Sequence, residues 1–144
     1  MLVNSLLISL FYLVGCTKSN DPEKTLKEFV EYSFSENQKK SFYLENTAGL
    51  LKEKIVAMSD DDIKKFFNVT DLQKRTLLIN QRKCSADTCF FTYTLTYNVN
   101  QDKQTKFEME VNKIAELQRV GKKWVITNIL NVKTSIDSKL PIIP

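Results

Sequence analysis

The sequence predicts an α+β domain: N-terminal helices packed on a curved four-stranded antiparallel sheet. Three observations predict it. Apolar residues recur at helical spacing from Asp21 to Phe67, and from Leu72 onward they alternate with polar ones. The alternating stretch is cut by three turn-forming sets, Ser85-Ala86-Asp87-Thr88, Asn100-Gln101-Asp102-Lys103 and Gly121-Lys122. A run of helical pattern followed by a run of strand pattern specifies helices segregated to one face of a meander.

The first helix opens at Asp21-Pro22-Glu23. Asp21 is suited to the N-cap, Pro22 to the first helical position and Glu23 to the positive end of the helix dipole. Leu26, Phe29, Val30 and Phe34 form its apolar stripe. Ser35 to Lys40 is polar and ends it, and Ser41 to Glu45, with Phe42, Tyr43 and Leu44, forms a short second helix. Gly49 to Met58 carries a third stripe of Leu50, Leu51, Ile55 and Val56. Ser59 before Asp60, Asp61 and Asp62 is a capping box for a fourth helix bearing Ile63, Phe66 and Phe67. The three aspartates do not read as a calcium loop, whose ligands alternate along the chain around a glycine turn.

Thr76 to Lys83 is the first strand. In the second, Phe91, Tyr93, Leu95, Tyr97 and Val99 alternate with Thr92, Thr94, Thr96 and Asn98, giving one apolar face and one face rich in threonine. Phe107, Met109 and Val111 continue the pattern in the third strand. It slips near Lys113 and Ile114 and resumes at Ala115 and Leu117, which predicts a bulge there. The fourth strand, Lys123 to Lys133, sets Trp124 and Ile126 against Val125 and Ile129, so both its faces are covered.

Residues 1–15 are almost uninterruptedly apolar and end in a small residue before Cys16, as a secretory signal does. The run is shorter than the about 20 residues a membrane-spanning helix needs. Leu13-Val14-Gly15-Cys16 resembles the lipobox of bacterial lipoproteins. The resemblance implies cleavage before Cys16, diacylglycerol on its thiol and a further acyl chain such as palmitate on the new amino terminus. Several acyl chains at about 0.8 kcal/mol per buried methylene hold such a protein at the membrane permanently. The absence of Lys or Arg before Cys16 departs from the usual basic start of a signal and suggests a translation start further upstream. Thr17, where an Asp would retain the protein at the inner membrane, favours the outer membrane, facing the periplasm. The expected organisation is thus signal 1–15, lipidated tether 16–20, one α+β domain 21–135 and an apolar tail 136–144.

The 129 residues left after removal of 1–15 from 144 suffice for one core. Composition is that of a folded protein, 42% hydrophobic and 26% charged with only three glycines, and there is no internal repeat. Charge is uneven: residues 17–71 hold nine lysines against eleven acids, and residues 72–144 hold twelve basic residues against six acids. The basic half is scattered along strands and reads as solvated surface. With Cys16 lipidated, Cys84 and Cys89 remain as a pair on either side of the Ser85 to Thr88 turn. Paired strands bring such residues to disulfide separation. The spacing is poor for a redox pair, and no His exists to complete a zinc shell.

Asp21-Pro22-Glu23-Lys24-Thr25-Leu26-Lys27-Glu28-Phe29, Met58-Ser59-Asp60-Asp61-Asp62-Ile63-Lys64-Lys65-Phe66-Phe67 and Gly121-Lys122-Lys123-Trp124-Val125-Ile126 resemble segments of uncharacterised bacterial lipoproteins. Those proteins belong to the nuclear-transport-factor-2-like, or ketosteroid-isomerase-like, cone fold. The resemblance spans Asp21 to Thr134 and implies a cone-shaped sheet but transfers no activity.

Function classes narrow by exclusion. Without His there is no Ser-His or Cys-His nucleophile pair and little scope for metal chemistry, so no catalytic residue, metal or cofactor is expected. A His-free acid–base site of this fold would need a carboxylate beside a tyrosine, and Tyr43, Tyr93, Tyr97, Glu108 and Glu110 are its candidates. Alternation alone accounts for Tyr93 and Tyr97 as core residues. Nucleic-acid binding has no recognisable module. The expected function is a membrane-anchored accessory module that contacts an envelope protein. The alternative is a module holding an apolar small molecule or lipid in a cavity lined by Phe29, Phe34, Phe91, Tyr93, Tyr97 and Trp124.

Overall fold

A computed structural model describes residues 21–67, 72–101 and 105–138. The expected signal, the expected lipidation site Cys16 and its tether, part of the Asn100 to Lys103 turn and the Leu140 to Pro144 tail lie outside the described residues. The order of elements is α1 (Pro22–Tyr32), α2 (Lys40–Asn46), α3 (Gly49–Ala57), α4 (Asp60–Phe67), β1 (Leu72–Cys84), β2 (Thr88–Gln101), β3 (Thr105–Val120) and β4 (Lys123–Ser138). The domain is α+β, four helices preceding an open antiparallel sheet in the order β1-β2-β3-β4.

Local signals set the helix ends. The Asp21 carboxylate accepts the Glu23 N–H at 3.1 Å, satisfying one free donor of α1. At the other end the Ser33 hydroxyl donates to the Val30 carbonyl at 2.6 Å. The polar link that follows is tied down by Tyr32, whose hydroxyl accepts from Lys39 N at 2.8 Å and donates to the Asn37 carbonyl at 3.2 Å. Ser59 and Asp62 form the reciprocal capping box of α4: Asp62 N donates to Ser59 Oγ at 3.1 Å and Ser59 N to Asp62 Oδ2 at 3.3 Å. The Ser59 hydroxyl, which donates to Asp62 Oδ2 at 2.6 Å, and then the Ser59 N–H hold the Asp62 carboxyl below its ordinary pKa. Lys40 Nζ reaches the Val56 and Met58 carbonyls at the negative end of α3, at 2.9 and 2.6 Å.

The third stripe is narrower than expected. Leu51 and Ile55 are buried, but Leu50 is 73% and Val56 59% exposed. Only one line of contact is available to α3, and residues four apart occupy it. Gly49 begins this helix at φ +58, which any other residue would adopt only with strain. Just before it, Thr47 bridges Ile126 and Ala48 N donates to the Ile126 carbonyl at 3.0 Å, covering part of the β4 edge.

The strands are longer than the sequence pattern indicated. β1 pairs with β2 from Leu72↔Val99 to Cys84↔Cys89, and β4 pairs with β3 as far as Phe107↔Ser138, three residues past the expected domain end. The irregularity expected at Lys113 and Ile114 falls in the β3–β4 ladder, as a register shift between Asn112 and Lys113, whereas β2 and β3 pair without a break from Thr88↔Gln118 to Gln101↔Thr105. Lys113 instead takes the inward position between Val111 and Ala115. The extra residues lie on the partners, Thr127 and Val132 in β4 and Arg75 and Asn80 in β1.

One apolar cluster joins the layers. Leu26, Phe29 and Val30 of α1, Tyr43 of α2, Leu51 and Ile55 of α3 and Ile63 of α4 meet Phe91, Tyr93, Leu95, Val111, Ala115, Leu117, Trp124 and Ile126 of the sheet. The helices α1, α2 and α3 all contact β4. Val125 is buried as well, so the start of β4 is covered on both sides. On the threonine face, Asn80 donates to Thr94 at 2.7 Å and Thr94 to Asn112 at 2.6 Å, a polar relay across three strands.

Candidate functional site

The inward alternation of β2 aims Tyr93, Leu95 and Tyr97 at the helices, and the same alternation in β3 aims Lys113 there. Between these strands and the helices lies a pocket of about 280 Å³. Phe29, Val30, Ser33 and Phe34 supply one wall, Phe66 and Phe67 a second, and Ile129, Leu130 and Asn131 a third, with Lys54 also on the lining. The aromatic walls support one another. Phe34 and Tyr97 have ring centres 5.7 Å apart, Phe67 meets Phe29 edge-on at 5.5 Å, and Tyr43 stacks behind Phe67 at 4.2 Å.

Six polar side chains interrupt the apolar lining: Ser33, Lys54, Tyr93, Tyr97, Lys113 and Asn131. Lys113 stands opposite Tyr93 in the β2–β3 ladder and opposite Asn131 in the β3–β4 ladder. Its ammonium has neither ion pair nor hydrogen bond among the described residues, and burial pushes its pKa below the ordinary lysine value. Burial acts the other way on the phenols, raising Tyr97 to about 12 and Tyr93 further, so both keep their protons at neutral pH. Among the described residues no occluded side-chain nitrogen or oxygen lacks a partner. The unpaired Lys113 amine and Tyr93 and Tyr97 hydroxyls therefore keep access to the pocket.

Of the side chains expected to line a cavity, Phe29, Phe34, Tyr93 and Tyr97 do so. Phe91 and Trp124 are buried in the core, away from the lining, each with a guanidinium over its ring: Arg82 at 5.7 Å and Arg119 at 4.9 Å. Tyr43 also sits behind the pocket, donating its hydroxyl to Gln38 Oε1 at 2.9 Å. Glu108 and Glu110 pair across from Asn98 and Thr96, on the threonine face, so no carboxylate lines the pocket among the described residues. Sequence reasoning missed the polar lining residues Ser33, Lys54, Lys113 and Asn131 and the apolar ones Val30, Phe66, Phe67, Leu95, Ile129 and Leu130. The signal for Lys113 was present as a charge in phase with Val111, Ala115 and Leu117.

Cys84 and Cys89 close the β1–β2 hairpin with their sulfurs 2.10 Å apart, and Ser85 N donates to the Thr88 carbonyl at 2.8 Å inside the turn. The described residues contain no group of three or more Cys, Asp or Glu able to hold a metal ion, and none of their helices is long and apolar enough to cross a membrane.

No family model matches the chain, and no curated protein matches it either. Among solved structures it is similar to the solution structure of a SEC-C motif containing protein from Rhodopseudomonas palustris. The two share 11% identity over 79% of this chain and 80% of that one, with a TM-score of 0.56. A likeness at that identity is one of fold.

Proposed function

We propose that the chain is the periplasmic ligand-binding domain of a lipid-anchored envelope protein, and that it holds an apolar small molecule in the pocket between helices and sheet. The observation that carries this reading is the pocket itself: about 280 Å³, walled by Phe29, Phe34, Phe67, Leu95 and Ile129, with a few unpaired polar groups inside. Ligand sites commonly combine apolar walls with a few placed polar groups. In this reading the helices cover one face of a curved, cone-forming sheet of the nuclear-transport-factor-2-like kind. Binding without catalysis is the expected activity.

The test is native mass spectrometry of the protein released gently from envelope fractions. A co-purifying small molecule, lost on denaturation, is the expected result; an empty protein from every preparation counts against the reading. Anchoring is tested separately. Cys16→Ser should abolish palmitate labelling and leave unprocessed precursor, and normal labelling of that variant would sink the lipid anchor and with it the periplasmic, outer-membrane assignment.

A second reading, an accessory module that contacts an envelope protein, draws support from Leu130, Val132 and Ile136. They are exposed on the edge strand β4, and exposed apolar edges favour pairing with another chain. Crosslinking from β4 positions in cells should then yield one defined adduct; diffuse or absent adducts would remove this support.

A further inference from the structure

Lys113 occupies a position that the sheet would fill more favourably with an apolar residue. Its inward neighbours along β3 are Val111, Ala115 and Leu117, all buried. Opposite it stand Tyr93 on one side and Asn131 on the other, and neither supplies a negative charge. A half-buried ammonium without a counter-charge is unfavourable, and proteins ordinarily pair such a group or replace it. Among the described residues no carboxylate answers it, and the other cation of the pocket, Lys54, only adds to the positive potential. The site is electrostatically incomplete as the described residues build it.

The missing charge has a definable chemistry. An ammonium offers only donors, and two protonated phenols can each donate one hydrogen more. Together they suit an acceptor with two oxygens sharing one negative charge. A phosphate monoester would bring nearly two negative charges against one half-buried cation, Lys113, because the pocket's second cation, Lys54, is exposed and screened by water. A pocket of about 280 Å³ lies at the small end of ligand sites, which run from roughly 300 to 1,000 Å³.

We propose that the pocket selects a small apolar monocarboxylate, its carboxylate held by Lys113 Nζ and the Tyr93 and Tyr97 hydroxyls, its apolar body lying among Phe29, Phe34 and Phe67. The proposal rests on the ligand-binding reading above and narrows it to a substrate class. Lys113 and the two tyrosines are then the groups that decide specificity.

Isothermal titration of the full-length protein with 3-phenylpropanoate and with its uncharged analogue 3-phenylpropan-1-ol separates the two claims. The acid should bind about tenfold or more tighter, since hydrogen bonds to charged groups carry that order of discrimination. Lys113→Met should lose this preference and bind both compounds alike, whereas Lys113→Arg, which keeps the charge, should retain part of it. Tyr93→Phe should weaken the acid by several-fold and leave the alcohol nearly unchanged. Equal binding of acid and alcohol by the wild type would overturn carboxylate selection and leave the pocket reading standing. Binding of neither overturns both. A preference that survives in Lys113→Met removes Lys113 from the site.

Discussion

Tyr93 and Lys113 face each other across the β2–β3 ladder, a phenol and an ammonium side by side on the inward face of the sheet. Each is pushed by burial toward its uncharged form, the tyrosine upward and the lysine downward. The pair thus places polar atoms among the buried apolar neighbours Leu95, Val111 and Ala115. Removing the charge should stabilise the ligand-free fold: Lys113→Met is expected to raise unfolding free energy by about 1 kcal/mol, the scale typical of repairing a strained functional position. Urea denaturation of the two proteins without added ligand checks this. A destabilised Lys113→Met would mean that the lysine contributes to the fold in a way its surroundings do not show.

The same groups set the pH dependence of stability. Lys113 has a folded pKa below the ordinary 10.5, so between those values the unfolded chain binds more protons and stability rises with pH. Tyr43, Tyr93 and Tyr97 have folded pKa values above the ordinary 10.0, so beyond about pH 10 the unfolded chain loses protons first and stability falls. Thermal unfolding from pH 8 to 11 should therefore show a rise followed by a decline. Lys113→Met should lose the rise and keep the decline.

The features legible in the sequence are those whose causes are local. Asp21 and Ser59 with Asp62 cap helices through bonds to residues two or three positions away, and the long alternation of β2 needs only its own period. Lys113 was misread for a physical reason. A charge at an inward position breaks an apolar pattern just as a register slip does, and periodicity cannot separate the two. The pairing resolves it: Lys113 faces inward and a register shift also falls beside it, but the extra residues Thr127 and Val132 lie on β4, where nothing in the local sequence marks them. One of them, Thr127, bonds the Glu116 carbonyl at 3.2 Å. Phe91 and Trp124 were indistinguishable from pocket-lining aromatics because burial in a core and burial along a cavity wall leave the same pattern. The exposure of Leu50 was equally hidden, since an apolar stripe does not state how much of it finds a partner.

The Cys84 to Cys89 link closes a loop of six residues, and Cys89 is fully buried while Cys84 is exposed. Chain-entropy reasoning gives about 2 kcal/mol for a loop of this size. Cys84→Ala with Cys89→Ala should lower stability by about that amount and leave pocket affinity unchanged, because neither cysteine lines the pocket. Denaturation and titration of the double variant check the two halves separately. A loss of ligand binding without a loss of stability would place the hairpin nearer the site than the geometry does.

Phe66 and Phe67 are consecutive aromatics that offer a paired test of how the pocket wall is held. Phe66 is 51% exposed, and its ring forms a T-shaped pair with Phe67 at 4.9 Å. Phe67 stacks on Tyr43 and meets Phe29 edge-on, so it bridges the core and the pocket. Full burial of a phenylalanine is worth about 3–5 kcal/mol on truncation to alanine, and Phe67, which keeps some exposure, should lose about 2. Phe66→Ala should change stability by no more than about 0.5 kcal/mol, as exposed positions usually do. Both line the pocket, so both substitutions widen it, but only Phe67→Ala also uncovers the Tyr43 ring. The expected outcome is therefore a split: Phe67→Ala lowers the midpoint of denaturation and shifts preference toward bulkier ligands, while Phe66→Ala shifts ligand preference alone. Equal stability losses in the two variants would show that α4 leaves its place whenever either ring is removed, and that the pocket wall is held by the helix as a unit instead of by Phe67.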